Sequence, residues 1–331
     1  MHPLRVLIMA GPNGSGKTSV IQAIEAEYRK RSQDSLPNVI INPDVIRKLP
    51  ETLDLARAEG LHPDRAAQKV AFLHRQRAME AGQAFAFETV MSHPTKLAEL
   101  AELRAAGYAV QLVFISTKNA DINVRRVAYR VRTRTTTGHD VPEDRTRERY
   151  ARTMALLPAA IEHADHARLY DNSYDGQPYT RQASIEQEDV GHLAGARRFR
   201  IALTGTPEQW VLDAIKALEL RQAERDQCNA YAAEHGFQIQ AADTVRGSYQ
   251  GTHVDPGVSG FFCTVADADD RQVLTLHDFS SFTPRQVSEL KSRPTAGDLS
   301  IAYSMTHEPK IGLPLGATPG KQPSPRFKIV F

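Results

Sequence analysis

Through the first half of the chain, apolar runs of strand length alternate with stretches of helical period. Residues 4–10 form a short apolar run that passes directly into a glycine-rich turn, the mark of a buried strand. A helix is expected over about 16–31. A second buried strand follows at 38–42 (NVIIN) and stops where Pro43 removes a ladder donor. A long helix over about 63–81 leads to a third strand at 84–88 (AFAFE). A helix over 94–106, ended by Gly107, leads to a fourth at 109–116 (AVQLVFIS). Strands separated by helices predict a parallel, doubly wound sheet with its ligand groups gathered at the carboxyl ends of the strands.

The period changes after residue 173. A polar stretch with Gly176 and Pro178 precedes a β-like run near 199–203. Thr206-Pro207-Glu208-Gln209 then reads as a capping box opening a helix that reaches about His235 and stops at Gly236. From Phe237 onward, short β-like segments alternate with turn signals at Asp255-Pro256-Gly257, Asp269-Asp270 and Gly297-Asp298, which predicts a small barrel or sandwich. Residues 312–325 are rich in Gly and Pro and precede a last β-like run at 326–331. The boundary is expected between about 173 and 205: one domain over 1–175, a linker with extra strands over 176–205, and a helix plus β-rich accessory domain over 206–331. The length of 331 residues fits two domains.

Composition narrows the class. With 41% hydrophobic and 24% charged residues, collagen-like, mucin-like and wholly disordered chains are excluded. Lys+Arg 41 against Asp+Glu 39 leaves +2, which does not point to a nucleic-acid partner. No apolar run approaches the roughly 18 residues of a membrane span, and the first is too short for a signal peptide. Cys228 and Cys263 have neither metal-ligand nor disulfide-framework spacing, so two inert thiols in a reducing, cytoplasmic setting are expected. His163 and His166 read as a solvated pair, and Trp210 as an anchor between domains. Arginine is concentrated: Arg125, Arg126, Arg130, Arg132, Arg134, Arg145, Arg147 and Arg149 fall within one short stretch. Such a block reads either as a solvated helix face or as a phosphate-binding surface.

Chemistry enters at Gly11-Pro12-Asn13-Gly14-Ser15-Gly16-Lys17-Thr18, which matches G-x-x-x-x-G-K-[ST] between a predicted strand and a predicted helix. The glycines let successive N–H groups face an anion, Lys17 reaches the β- and γ-phosphates of a nucleotide, and the Thr18 hydroxyl ligates Mg2+. Lys118-Asn119-Ala120-Asp121 does not supply the guanine-reading order of signalling GTPases. The fourth strand ends in Ser116-Thr117 rather than the acid expected of motor-like ATPases. Asp44, after the second strand and expected beside the loop, is placed to serve as general base; a helix cap is its other reading. Glu88 closes the third strand, with Thr89, Ser92 and His93 following. It is expected in the cleft, contacting substrate, or as a cap.

Together these residues resemble the zeta toxin family of P-loop kinases, the toxin half of toxin–antitoxin pairs. The resemblance is carried by the 11–18 loop, Asn42-Pro43-Asp44-Val45-Ile46-Arg47, Phe87-Glu88-Thr89, Arg125–Arg130, Gly138-His139-Asp140-Val141-Pro142, Arg149-Tyr150 and Leu169–Ser173. These occur in family order over about 4–173. The resemblance implies ATP-dependent phosphorylation of a hydroxyl on UDP-N-acetylglucosamine, with inhibition of cell-wall precursor synthesis. It also implies a helical lid and an antitoxin, or an internal segment, covering the ATP site. Lys17 would hold the transferring phosphate, Asp44 would be the base and Arg130 the lid arginine. Arg47, Glu88, Thr89 and Ser92 would bind substrate. The link after Arg130 is longer than the family pattern and loses one Gly, which leaves His139, Arg145 or Arg147 as the second phosphate-contacting group. Two other readings stay open: another nucleotide-like acceptor such as NAD, and a non-catalytic, nucleotide-dependent binding protein.

Overall fold

A computed structural model describes residues 4–30, 37, 39–133, 141–188, 198–268 and 271–313. The chain forms two compact units, Met1–Asp226 and Gln227–Phe331. Elements of the first unit run β1 (Arg5–Ala10), α1 (Lys17–Lys30), β2 (Val39–Ile41), α2 (Pro43–Ile46), α3 (Pro50–Glu59), α4 (Pro63–Glu80), β3 (Phe85–Thr89), α5 (Thr95–Ala105) and β4 (Ala109–Ser116). They continue with α6 (Ala120–Thr133), α7 (Glu143–Glu162), β5 (His166–Asp171), β6 (Thr180–Glu188), β7 (Arg198–Leu203) and α8 (Gln209–His235), a helix that continues into the second unit.

The seven strands make one sheet in the order β2-β3-β1-β4-β5-β6-β7, parallel from β2 to β5, with β6 and β7 added antiparallel. Alternation along β1 shows why it is apolar throughout. Val6, Ile8 and Ala10 pack into the cluster formed with α4, α5, α7 and α8, while Leu7 and Met9 pack on the other face with Val20, Ile21 and Ile24 of α1. A strand covered by helices on both faces has no polar side to show. The doubly wound parallel sheet expected from the sequence is the one observed.

Several local expectations change. The 38–42 strand, expected to be buried, is an edge: Val39 and Ile40 are 37% and 46% exposed. It does not flank β1, because β3 lies between them. The helix α3, which the hydrophobic pattern does not predict, starts at Pro50 and ends at Gly60, whose φ of +62 is left-handed and favours glycine. The Thr206 capping box is not formed. The helix starts two residues later than expected, at Gln209, with the Glu208 N–H donating to Gln182 Oε1 of β6 at 2.8 Å. Trp210 anchors α8 within the first unit rather than between domains, its Nε1 donating to Asp171 Oδ1 at 3.1 Å and its ring against Phe114. The β6 and β7 strands, expected in a linker, extend the first sheet, so the compact units divide within α8 rather than between 173 and 205.

The second unit contains β8 (Gln238–Ala241), β9 (Ser248–Val254), β10 (Phe261–Ala268), β11 (Arg271–Asp278), α9 (Pro284–Lys291), β12 (Asp298–Ala302) and β13 (Lys310–Gly312). In place of a barrel, one six-stranded sheet in the order β13-β12-β9-β10-β11-β8 packs a face on Cys228 and Ala232 of α8 and the other on Leu290 of α9. Cys228 and Cys263 are buried thiols that form no disulfide, with their Sγ atoms 4.0 Å apart. His277 is fully buried between Thr264 Oγ1 and the Tyr303 hydroxyl, and burial pulls its pKa down to about 3, so the ring is neutral. The expected last strand at 326–331 lies outside the described residues. Among the described residues, no helix is long and apolar enough to cross a membrane.

Candidate active site

The loop between β1 and α1 is held by close approaches that only glycine permits. A Cβ on Gly11 (φ +148) would lie 2.0 Å from the Ile115 carbonyl oxygen of β4. One on Gly14 (φ +80) would meet the Asn123 carbonyl oxygen at 2.5 Å, and one on Gly16 (φ +83) would meet Asn172 Nδ2 at 2.2 Å. Two side-chain amides brace the same loop: Asn123 Nδ2 donates to the Asn13 carbonyl at 2.6 Å, and Asn172 Nδ2 to the Ser15 carbonyl at 2.8 Å. Thus the lid-side helix α6 and the end of β5 both hold the backbone that would cradle phosphate. Arg126 of α6 strengthens the second brace by donating to the Asn172 carbonyl at 2.6 Å.

Lys17 lies at the first turn of α1, buried, with Nζ donating to the carbonyls of Gly11 at 2.9 Å and Pro12 at 3.1 Å. Burial pulls its pKa down, opposed by Glu88 and Asp44 and reinforced by Arg130. Ser15 Oγ is buried without a hydrogen-bond partner among the described residues. An orphaned buried hydroxyl in a glycine-rich loop at a helix N-terminus fits an anion such as a nucleotide phosphate. Thr18 is exposed on the same turn, where its hydroxyl is open to a metal ion.

Register places the acids. Glu88 lies opposite Met9 on the strand next to the loop strand, and Thr89 lies opposite Ala10. Burial raises the Glu88 pKa, while Lys17 opposes the rise. Asp44 occupies the first turn of α2 behind Asn42, and its charge acts on both Lys17 and Glu88. Asp44 therefore reaches the loop across β3, not from a neighbouring strand. The cap of α2 is Asn42, so the helix-cap reading of Asp44 does not describe this turn. Arg130 of α6 acts on the same two groups, which brings Lys17, Asp44, Glu88 and Arg130 into one electrostatic cluster.

The remaining candidates divide. Thr89 Oγ1 accepts the Met91 N–H at 3.2 Å and shapes a turn in which buried Met91 takes φ +54, a strained value for a non-glycine residue. Ser92 is half-buried in that turn. The turn is tied to α7 by Thr153 Oγ1 donating to the Val90 carbonyl at 2.9 Å. Arg47 forms an ion pair with Asp64 of α4 at 2.6 Å. Arg147 is held at the surface by Asp121 at 2.5 Å and Glu143 at 2.9 Å, so it is not brought to the loop. Arg145 is exposed on α7, and His139 lies outside the described residues. Sequence reasoning assigned no individual role to Arg149, which is half-buried and whose pKa is lowered by burial and by the charges of Arg145 and Arg152. It also missed Asn123; a polar residue on the buried side of α6, beside Ile122 and Val127, was the available signal.

Residues 2–181 match the family model described as zeta toxin. The chain belongs to the zeta toxin family. The match covers the loop, the α2 turn, the end of β3, α6, α7 and the first residues of β6. No curated protein matches the sequence. Solved structures similar to this family member include a chain of the AvrRxo1-ORF1:-ORF2 complex with ATP: 16% identity, 55% of this chain and 58% of that chain, TM-score 0.40. The alignment thus spans less than two thirds of that relative. The PezAT chromosomal toxin–antitoxin system of Streptococcus pneumoniae is similar at 21% identity over 51% of this chain and 68% of that chain, TM-score 0.34. A gluconokinase from Sinorhizobium meliloti 1021 is similar at 18% identity over 53% and 85%, TM-score 0.30.

Proposed function

We propose that the first unit is an ATP-dependent toxin kinase that phosphorylates a hydroxyl of UDP-N-acetylglucosamine. The observation that carries this reading is the convergence of Lys17, Asp44, Glu88 and Arg130 beside an anion-binding loop in a zeta toxin family chain. In the transfer, Asp44 accepts the proton of the attacking hydroxyl as the new O–P bond forms and the bond to ADP breaks. Lys17 and Arg130 stabilise the charge that spreads over the phosphoryl oxygens. Glu88 and Thr89, at the end of β3, orient the acceptor. Ser15 and the glycine-built loop suit the phosphates, and Thr18 is the residue that would hold Mg2+. That ion would supply charge neutralisation across the phosphates. An antitoxin covering the loop, in the cytoplasm, belongs to the same reading and rests on family membership.

The test is incubation of the full chain with ATP and UDP-N-acetylglucosamine, followed by mass spectrometry for an acceptor carrying one added phosphoryl group. Asp44→Ala is expected to bind ATP normally while losing transfer and toxicity. Absence of phosphorylated product from the wild type overturns the acceptor, and NAD is then the next acceptor to assay. Undiminished toxicity of Asp44→Ala overturns the kinase reading itself and favours a nucleotide-dependent binding protein.

A further inference from the structure

Strand β2 pairs with β3 so that Ile41 lies opposite Phe87. The residues that follow, Asn42 and Glu88, therefore emerge side by side at the strand ends. One carboxamide serves both neighbours. Asn42 Oδ1 accepts the Asp44 backbone N–H at 2.8 Å, capping α2, and Asn42 Nδ2 donates to Glu88 Oε2 at 2.8 Å. The two bonds set the amide orientation, since only the oxygen can accept from an N–H and only the NH2 can donate to a carboxylate. A flipped amide would lose both.

Capping alone does not require this residue, because Ser, Thr or Asp would cap α2 as well. Serine is too short to reach Glu88 as well, and Asp would set a carboxylate against a carboxylate. Asparagine has the length, the acceptor and the donor together. We propose that Asn42 is a positioning residue for phosphoryl transfer, holding the turn that carries Asp44 and the Glu88 carboxylate in one fixed arrangement beside the phosphate loop. This rests on the reading that those two acids serve the acceptor. It explains how an edge strand of only three residues, two places from the loop strand, delivers a base accurately: the turn is pinned through Glu88 to β3, which is itself in register with β1. Misplacing a catalytic group by about 1 Å costs on the order of 100-fold in rate, so such a pin matters.

The experiment compares Asn42→Ser and Asn42→Asp with the wild-type full chain. Glu88 is titrated by carboxyl-carbon NMR in protein labelled at glutamate, with its signal identified by its loss in Glu88→Gln. The Asn42 bond favours the ionised carboxylate. Lys17, Asp44 and Arg130 are the other charges that face Glu88, and neither variant alters them. The Glu88 midpoint is expected to rise in Asn42→Ser and to rise further in Asn42→Asp, where a carboxylate replaces the amide. ATP affinity should stay at the wild-type value, while kcat for transfer to UDP-N-acetylglucosamine falls roughly 10- to 100-fold. An unmoved Glu88 midpoint overturns the inference, as does a wild-type kcat in both variants. Asn42→Asp keeps the cap and the size of the side chain, so the titration stands even if Asn42→Ser fails to fold. The titration needs no acceptor. A wild-type chain that leaves UDP-N-acetylglucosamine unphosphorylated therefore counts against the proposed function, and the Glu88 midpoints still decide the role of Asn42.

Discussion

Gly14→Ala tests whether the phosphate loop is held by contact with the lid-side helix. The left-handed backbone of Gly14 (φ +80) alone costs an L-residue about 1–2 kcal/mol. The added Cβ would also lie 2.5 Å from the Asn123 carbonyl oxygen, whereas ordinary contact begins at 3.4 Å, so the loop must retreat by about 0.9 Å. That retreat breaks the 2.6 Å bond from Asn123 Nδ2 to the Asn13 carbonyl, a further ~0.5–1.5 kcal/mol. Together the loss is about 1.5–3.5 kcal/mol of stability in the first unit. Gly60→Ala is the matched control. Its φ of +62 carries the same kind of backbone strain, but nothing lies within 4 Å of the new Cβ. It should cost only ~1 kcal/mol and leave ATP affinity unchanged. Urea unfolding followed by Trp210 fluorescence reports the first unit, because the chain has Trp 1 and that residue is buried there. Titration with ATP should show Gly14→Ala weakened at least about tenfold, equivalent to ~1.4 kcal/mol. Equal unfolding midpoints for the two variants, or wild-type ATP affinity in Gly14→Ala, would refute the reasoning.

Two further outcomes follow from the buried charges. The raised Glu88 pKa means that its contribution to stability is full below the ordinary value of 4.5 and is lost as pH rises through the higher folded value. Glu88→Gln should therefore unfold at higher urea than wild type near pH 7, with the gain disappearing near pH 4; a destabilised variant at pH 7 would contradict this. Glu162 of α7 is 2% exposed and receives Arg221 at 2.6 Å and Arg225 at 3.0 Å from α8. Removing this buried anion with Glu162→Ala should cost ~3 kcal/mol in the same Trp210-monitored unfolding, and a change within measurement error would show that the pair contributes nothing.

The sequence alone carried the phosphate loop and the parallel sheet, because both are local. A G-x-x-x-x-G-K-[ST] run between a strand and a helix states its own conformation, and continuous apolar runs such as 109–116 state burial on both faces. It also placed Asp44, Glu88 and Arg130 among the chemistry-bearing residues. Tertiary structure decided how they meet. Strand order is a matter of which faces pack, and it put β3 between the loop strand and the strand before Asp44, so Asp44 and Glu88 come from adjacent strands, with Asn42 bonded to both, and only Glu88 comes from the strand beside the loop strand. It decided that Arg147 is occupied at the surface while Arg149 is half-buried, since ion pairing depends on which side of α7 meets α6. The antiparallel strands β6 and β7 joined the first sheet for the same reason: a polar, turn-rich stretch becomes a strand when an existing edge offers unpaired hydrogen-bonding groups. Local pattern specifies segments, and the partner of each segment is settled only when the chain has packed.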